Sequence, residues 1–282
     1  MKILNSIKDV RAEIKQARKN SKSIGMVPTM GYLHEGHLSL VKRAREENNI
    51  VIVSIFVNPT QFGPDEDYVA YPRDIERDSR LVEGEGADIV FAPEVNEMYP
   101  DGCSTYVEVE GNITKKLCGA SRPGHFKGVT TIVTKLFNII TPDRAYFGQK
   151  DAQQVAVIEK MVKDLCFDIE IVPCPIIREE DGLAKSSRNM YLNEKERKAA
   201  TILSKALFNV KEIIGKGEIN PSKIEKFIVD TINTEALTDI DYVEIVNART
   251  LESIRKIKGD VLIALAVKIG KARLIDNIRL EA

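Results

Sequence analysis

The chain is poor in the residues that build metal centres and disulfide frameworks. Among its 282 residues are four cysteines and three histidines. Cys103, Cys118, Cys166 and Cys174 form no CxxC pair and keep no metal-like spacing with histidine, so they read as buried or incidental thiols of a reducing compartment. No apolar run approaches the roughly 20 residues that a membrane span requires. The opening segment MKILNSIKDVRAEIKQARKN holds no long apolar core of the signal-peptide kind. A cytoplasmic protein with no membrane partner is expected. An excess of either charge is missing as well: 41 Lys and Arg stand against 42 Asp and Glu, a net charge of −1. No overall field favours nucleic acid, so any anionic ligand must be held by local charge. The sequence has no Walker-type phosphate loop, no GxSxG elbow, no internal repeat and no low-complexity tract.

What is present is the makeup of an ordinary globular protein, 43% hydrophobic and 29% charged. The length suffices for two domains and a sizeable core. Residues 6–20 read as a polar-faced helix, with Ser6 and Asp9 in capping-box spacing. Residues 24–27 are a short strand. Residues 36–48 are helical, with Leu38, Leu40, Val41 and Ala44 on a mostly one-sided apolar face. The run IVIVSIFV at 50–57 is nearly continuous and β-branched, as in a strand buried on both faces of a parallel sheet. Helices follow at 74–84, 129–140 and 151–166, and strands at 88–92, 144–147 and 168–172. This alternation predicts an α/β fold, a doubly wound Rossmann-like parallel sheet over residues 1–176.

The character changes after Ile177. Helices are predicted at 193–214 and 221–233, then strands at 242–246, 261–267 and 273–278, the last two joined near Gly270 as a hairpin. They predict a smaller C-terminal α+β domain over 177–282.

Ligands of doubly wound sheets bind at the carboxyl ends of the strands, and the informative segments follow strands. The richest is PTMGYLHEGH. It holds two of the three histidines, His34 and His37, on either side of Gly36, and the third, His125, lies in another candidate segment. A strand, a glycine turn and a helix start offer backbone N–H groups and the positive end of a helix dipole to an anion. On this reading both imidazoles contact phosphate oxygens, and Gly36 lets the ligand approach the backbone. Donation to a non-bridging oxygen stabilises the charge that grows during displacement at phosphorus. The plainer reading is a helix N-cap with an incidental histidine. A zinc helix does not fit, because it needs histidines four apart on an unbroken helical face. EGEGA at 83–87 imitates a dinucleotide fingerprint but precedes a strand, and its acids would repel a pyrophosphate.

Four further segments each carry two readings. In NPTQF, Gln61 offers a donor and an acceptor suited to a small hydroxy acid; the alternative is a simple turn. RPGHF, before a helix expected near Val129, either caps that helix or adds positive charge at the sheet edge. GQKDAQQ follows a strand and places Lys150 on the same rim as HEGH, with Gln154 one turn on; the default is a solvated lysine. In LAKSSRN, two hydroxyls lie between two cations. That loop is either solvated or a mobile phosphate clamp that closes over ATP and excludes water.

In this order PTMGYLHEGH, FVNPTQF, RPGHFKGV, FGQKDAQQ and SSRN resemble the pantothenate synthetase (pantoate–β-alanine ligase) family, part of the HIGH-motif nucleotidyltransferase superfamily. The likeness spans nearly the whole chain, strongest over 26–189 and weakest after about Glu194. It implies a two-step reaction. The carboxylate of (R)-pantoate attacks the α-phosphorus of ATP to give pantoyl adenylate and pyrophosphate. The amine of β-alanine then displaces AMP to give pantothenate. Carboxylate and triphosphate are both anionic, and like charges ~4 Å apart repel by about 4 kcal/mol at an effective dielectric near 20. His34, His37, Lys150, Arg188 and Mg²⁺ offset that repulsion and stabilise the transition state.

By the same resemblance His37 is the catalytic histidine, with His34 beside it on the phosphates. The implied ATP site is Met30, Gly31, Tyr32, Leu33, His34, Glu35, Gly36 and His37, with Gly148, Gln149, Lys150, Asp151, Ile177, Lys185, Ser186, Ser187 and Arg188. Gln61 and Gln154 are implied pantoate ligands, with Gln61 also near β-alanine. Mg²⁺ rides mainly on the nucleotide, so no protein ligand to the metal is implied. Lys185 departs from the pattern, standing where many relatives carry an apolar residue. The family is typically a homodimer through the N-terminal domain, and the smaller domain acts as a lid. Two rivals predict other outcomes. A nucleotidyltransferase that stops at the adenylated product would generally lack RPGHF and GQKDAQQ. A non-catalytic RNA-binding module would need a basic stripe or aromatic platform, which this near-neutral sequence lacks.

Overall fold

The computed structural model describes residues 1–64 and 66–282. In chain order its elements are β1 (Lys2–Leu4), α1 (Ile7–Lys19), β2 (Ile24–Thr29), α2 (Glu35–Glu47), β3 (Ile50–Ile55), α3 (Ile75–Gly84), β4 (Ile89–Phe91) and α4 (Val95–Met98). Then come α5 (Asn112–Lys115), α6 (Cys118–Ser121), α7 (His125–Ile140), β5 (Arg144–Gly148), α8 (Ala152–Asp164) and β6 (Glu170–Cys174). The chain ends with α9 (Glu194–Ala200), α10 (Ile202–Gly215), α11 (Pro221–Ile232), β7 (Thr238–Asn247), β8 (Asp260–Ile269) and β9 (Ala272–Glu281). It divides into two compact units. One comprises Met1–Val109, Arg122–Gln149 and Val157–Pro175; the other comprises Glu110–Ser121, Lys150–Ala156 and Ile176–Ala282. The second unit thus draws two short segments from the middle of the chain.

The first unit is built on a six-stranded, wholly parallel sheet in the order β1-β4-β3-β2-β5-β6. Successive strands run outward from β2 to β3 to β4, and the order then reverses to β5 and β6 on the other side of β2. The switch point lies between β2 and β5, where Gly25 pairs with Arg144 and Met26 with Ala145. The α/β expectation holds. β1 was not foreseen in the pattern, because three residues are too few to show a period; its partners are Ile89, Val90 and Phe91.

Local chemistry explains the helix limits. Ser6 caps α1: its hydroxyl oxygen accepts the Asp9 N–H at 3.1 Å, as the capping spacing predicts. One sheet face is sealed by Leu40, Val41 and Ala44 of α2 and Val82 of α3 against Val27, Val51, Val53 and Val90. Helix α7 starts at His125, a turn earlier than the expected Val129, because Gly124 takes a left-handed turn (φ 81°) that sets the helix going at once.

The second unit carries an antiparallel sheet in the order β7-β8-β9, with β8 and β9 joined at Gly270 (φ 56°). Leu203, Ala206, Leu207 and Val210 of α10 and Ile224, Ile228 and Ile232 of α11 share its core with Ile263, Leu265 and Val267. The single helix expected over 193–214 is two. At the joint Thr201 donates its N–H to Lys198, three residues back, which tightens one turn and ends α9.

Candidate active site

The loop after β2 is held from beneath. Gly31 (φ 83°) and Tyr32 (φ 50°) both lie in the left-handed region, which is costly for tyrosine. Asp78 of α3, fully buried, offsets that cost: its carboxylate accepts the Tyr32 N–H at 2.6 Å and the Leu33 N–H at 2.8 Å. Burial drives the Asp78 carboxyl above its ordinary range, with the two N–H bonds and Arg77 pulling the other way. Arg77 adds a bond from Nη2 to the Leu33 carbonyl at 2.9 Å, and its guanidinium lies 5.2 Å from the centre of the Tyr32 ring.

His34 is the N-cap of α2, so the plainer reading of that residue is true and does not compete with the sharper one. The Nδ1 of His34 accepts the Gly36 N–H at 3.1 Å, and the Nδ1 of His37 accepts the His34 N–H at 3.3 Å. This is a capping box built from imidazoles. Its consequence is chemical. With Nδ1 accepting on both rings, the neutral imidazoles carry their protons on Nε2, and both become Nε2–H donors. The rings sit 4.1 Å apart, centre to centre.

Two expectations for this loop need correction. Six of its backbone N–H groups are engaged within the protein: Gly31 donates to Thr29 Oγ1, Tyr32 and Leu33 to Asp78, and His34, Gly36 and His37 within the capping turn. Gly36 makes room for His34 itself, since a Cβ there would lie 2.8 Å from Cε1 and 2.9 Å from Nδ1 of that ring.

Gln61 is buried in a polar network that the sequence reading missed. Asn58, also buried, donates from Nδ2 to Gln61 Oε1 at 3.0 Å and accepts at Oδ1 from the Tyr99 hydroxyl at 2.7 Å and the Thr60 hydroxyl at 3.0 Å. This fixes which end of the Gln61 amide is the donor. Its Nε2 approaches the sulfur of Met30 at 3.2 Å, so two predicted site residues from different loops meet. Burial pushes the Tyr99 hydroxyl up to about 12, keeping it a neutral donor. Asn58 lies inside the quoted NPTQF segment, and a carboxamide at a strand's carboxyl end was the signal to follow.

RPGHF acts as a clamp. His125 Nδ1 donates to the Gln61 carbonyl at 2.9 Å, the role set by Arg122, which donates to Nε2 at 3.1 Å. Arg122 also grips both carboxylate oxygens of Glu66 at 2.6 Å. Burial raises the Glu66 carboxyl, but the guanidinium more than offsets this and holds it below the usual range. The positive charge expected from this segment is thus largely paired. Gly128 lets α7 come up against the same turn, because a Cβ there would stand 2.3 Å from the Thr60 carbonyl oxygen.

Gly148 and Gln149 leave β5 beside the switch point in the first unit. Lys150, Asp151, Gln154, Ile177, Lys185, Ser186, Ser187 and Arg188 belong to the second. There, Lys150 Nζ lies 3.9 Å from Asp151, and Gln153, next to Gln154, anchors the carbonyls of Ile113 and Lys116 at 3.0 and 2.7 Å. Residues 177–185 form a tight hairpin: Lys185 donates its N–H to the Ile177 carbonyl at 2.9 Å, and its ammonium pairs with Glu179 at 3.0 Å. Ser186 caps the following turn by accepting the Arg188 N–H at 3.2 Å.

A parallel sheet whose order reverses at β2, with an HxGH pair opening the next helix, defines an α/β nucleotidyltransferase fold of the HIGH-motif class. Residues 2–279 match the model of the pantoate–β-alanine ligase family. The pantothenate synthetase of Acetivibrio thermocellus is 63% identical over 281 residues, covering 100% of both chains. That of Caldicellulosiruptor bescii is 60% identical over 282 residues, again covering 100% of both. Among solved structures, pantothenate synthetase from Thermus thermophilus superposes with a TM-score of 0.95 at 45% identity over 100% of both chains. Pantoate–β-alanine ligase from Francisella tularensis, complexed with β,γ-ATP and β-alanine, gives 0.80 at 37% identity over 99% of this chain and 97% of that one. The chain belongs to the pantoate–β-alanine ligase family. It is an AMP-forming carbon–nitrogen ligase that joins pantoate to β-alanine through a pantoyl adenylate.

Proposed function

We propose that His34 and His37 donate their Nε2 protons to phosphate oxygens of ATP while the pantoate carboxylate attacks the α-phosphorus. The observation that carries this reading is the imidazole capping box, which commits both Nδ1 atoms as acceptors at the N-terminus of α2, beside the switch point. Donors fixed before the substrate arrives need no reorganisation as charge develops. His37 acts at the transferring phosphoryl group. Lys150 and Arg188 supply the positive charge, and Ser186 and Ser187 supply hydroxyl donors.

The remaining ATP contacts are assigned to 30–37, 148–151, Ile177 and Lys185. Because Lys185 is paired with Glu179, its share there is structural support of the hairpin. Gln61, with its amide orientation set by Asn58, and Gln154 are assigned to pantoate; Gln61 also serves β-alanine. The acyl adenylate is already activated, so its attack by the β-alanine amine needs no enzyme nucleophile.

Among the described residues no group of three or more His, Cys, Asp or Glu could hold a metal ion. Most of the candidate side chains are imidazole, amide, hydroxyl, guanidinium and ammonium donors, which suit phosphate oxygens better than a hard cation; the carboxylates among them are Glu35 and Asp151. Mg²⁺ bound to the triphosphate would lower its charge. Among the described residues no helix is long and apolar enough to cross a membrane. A cytoplasmic homodimer is the assembly that the family likeness favours, and sedimentation equilibrium checks it.

Mass spectrometry of the products with and without β-alanine tests the reaction. Pantothenate and AMP should form only with ATP, Mg²⁺, pantoate and β-alanine together, and AMP release indifferent to β-alanine would defeat the reading.

A further inference from the structure

Asp276 of β9 is fully buried and has no part in the assigned chemistry. Its carboxylate takes two bonds from the Arg178 guanidinium, at 2.7 and 2.8 Å, and a third from the backbone N–H of Asn277 at 2.7 Å. A buried ion pair of this kind is weak evidence of stabilisation, because desolvation offsets most of the attraction. What it does supply here is a fixed geometry between segments far apart in sequence. Arg178 also donates to the Gly182 carbonyl at 3.0 Å and bridges Ala184 across the hairpin. That hairpin runs directly into Ser186, Ser187 and Arg188.

On the other side of the carboxylate, Asn277 is buried and donates from Nδ2 to the Lys150 carbonyl at 2.9 Å, across 127 residues of sequence. A carbonyl held at that point fixes the peptide from which the lysine side chain springs. One buried carboxylate therefore sets the backbone at Lys150 and the root of the Ser186–Arg188 turn in a single frame, within one unit.

We propose that Asn277 is a positioning residue for Lys150, oriented for that duty by the Asp276–Arg178 pair. This rests on the assignment of Lys150 to the phosphates. Asparagine is required because the bond needs a donor facing a carbonyl oxygen; aspartate would set oxygen against oxygen. Without the tie, the ammonium loses its register with the charge it meets in the transition state, and a misplacement near 1 Å is enough to cost on the order of 10²-fold.

The test is a double-mutant cycle read in single-turnover pyrophosphate release with ATP, Mg²⁺ and pantoate, without β-alanine. N277A and K150A should each slow this step, N277A by about 10- to 100-fold, while KM for pantoate stays unchanged. N277A should slow the K150A enzyme no further. N277D, which sets oxygen against the Lys150 carbonyl, should be as slow as N277A, and far-UV circular dichroism of both variants should match wild type, which guards against a folding defect. Equal slowing by N277A in both backgrounds would overturn the proposal, as would a full-rate N277D. A wild type that releases no pyrophosphate defeats the reaction assignment and this inference together. An active wild type with a full-rate K150A leaves the reaction standing and defeats the assignment of Lys150 to the phosphates, and this inference with it.

Discussion

Replacing Asp78 by asparagine removes one hydrogen-bond acceptor and one charge from beneath the loop that carries the histidines. In the native protein its two carboxylate oxygens serve the Tyr32 and Leu33 N–H groups at 2.6 and 2.8 Å. An asparagine oxygen can serve one; the other N–H then faces an amide NH₂. A buried donor left unpaired costs about 1–3 kcal/mol, and loss of charge assistance in the remaining bond costs about 1 kcal/mol more. Relief from burying a carboxylate offsets part of this, since burial already raises its pKa. A net local loss of about 2 kcal/mol follows. Tyr32, held at φ 50°, then has less reason to keep its left-handed backbone, a conformation that costs about 1–2 kcal/mol for a residue with a Cβ.

Amide hydrogen exchange reads this locally. A loss of about 2 kcal/mol is roughly 30-fold faster exchange at Tyr32 and Leu33, on the scale of 1.36 kcal/mol per tenfold. Single-turnover pyrophosphate release should slow on the order of 10²-fold, because the loop sets the imidazoles. The acid limb has a definite sign. A raised carboxyl pKa means that the native state binds the extra proton, so wild type should gain stability relative to D78N as pH falls through the window just above 3.8. Unchanged exchange at both amides would refute the loop's dependence on Asp78. Faster exchange with unchanged pyrophosphate release would refute the link from loop to chemistry.

Other outcomes follow from the same geometry. H37A should lower the adenylylation rate by about 10²–10³-fold, the usual loss of one transition-state donor, and far-UV circular dichroism should show the fold intact; near-normal turnover would remove the assigned role. G36A should slow the same step although alanine favours a helix, because its Cβ meets the His34 ring at 2.8 Å; a crystal structure with that ring unmoved would contradict this. E66Q tests the Arg122 clamp by pH. The depressed Glu66 carboxyl contributes stability that is complete above its ordinary value of 4.5 and lost as pH falls through the lower native value. The urea-unfolding difference between E66Q and wild type should therefore be largest near neutrality and fade in acid. Y99F removes the 2.7 Å bond to Asn58 and should cost about 1 kcal/mol by urea titration, with a higher KM for pantoate as Gln61 loosens.

The α/β architecture was legible because its causes are local. The β-branched run at 50–57 and the one-sided apolar face of 36–48 each encode their own burial, and β3 and α2 formed there. The same locality hid the exceptions. β1 exists only because Ile89, Val90 and Phe91 lie alongside, and the break at Thr201 rests on a single tightened turn that apolar periodicity does not see.

The histidine pair could be read because a strand, a glycine and HEGH lie together in ten residues. Nothing in that stretch announces that its N–H groups are already engaged. That depends on Asp78, which is 45 residues from Leu33 and looks like one more charge on a helix face. Asn58 is similar, its meaning arising only once Tyr99, 41 residues on, closes over it.

The sequence by itself named the side chains to which the chemistry is assigned and where in each strand–helix repeat they stand, since residue type and period are properties of short segments. Only the tertiary structure decided that Asp78 engages the Tyr32 and Leu33 N–H groups, which end of Gln61 points onward, and why Asp276 and Asn277 matter to Lys150. Those are properties of buried hydrogen bonds. Burial brings together partners that the chain keeps far apart, and a polar group shut off from water must take its role from whatever neighbour the fold provides.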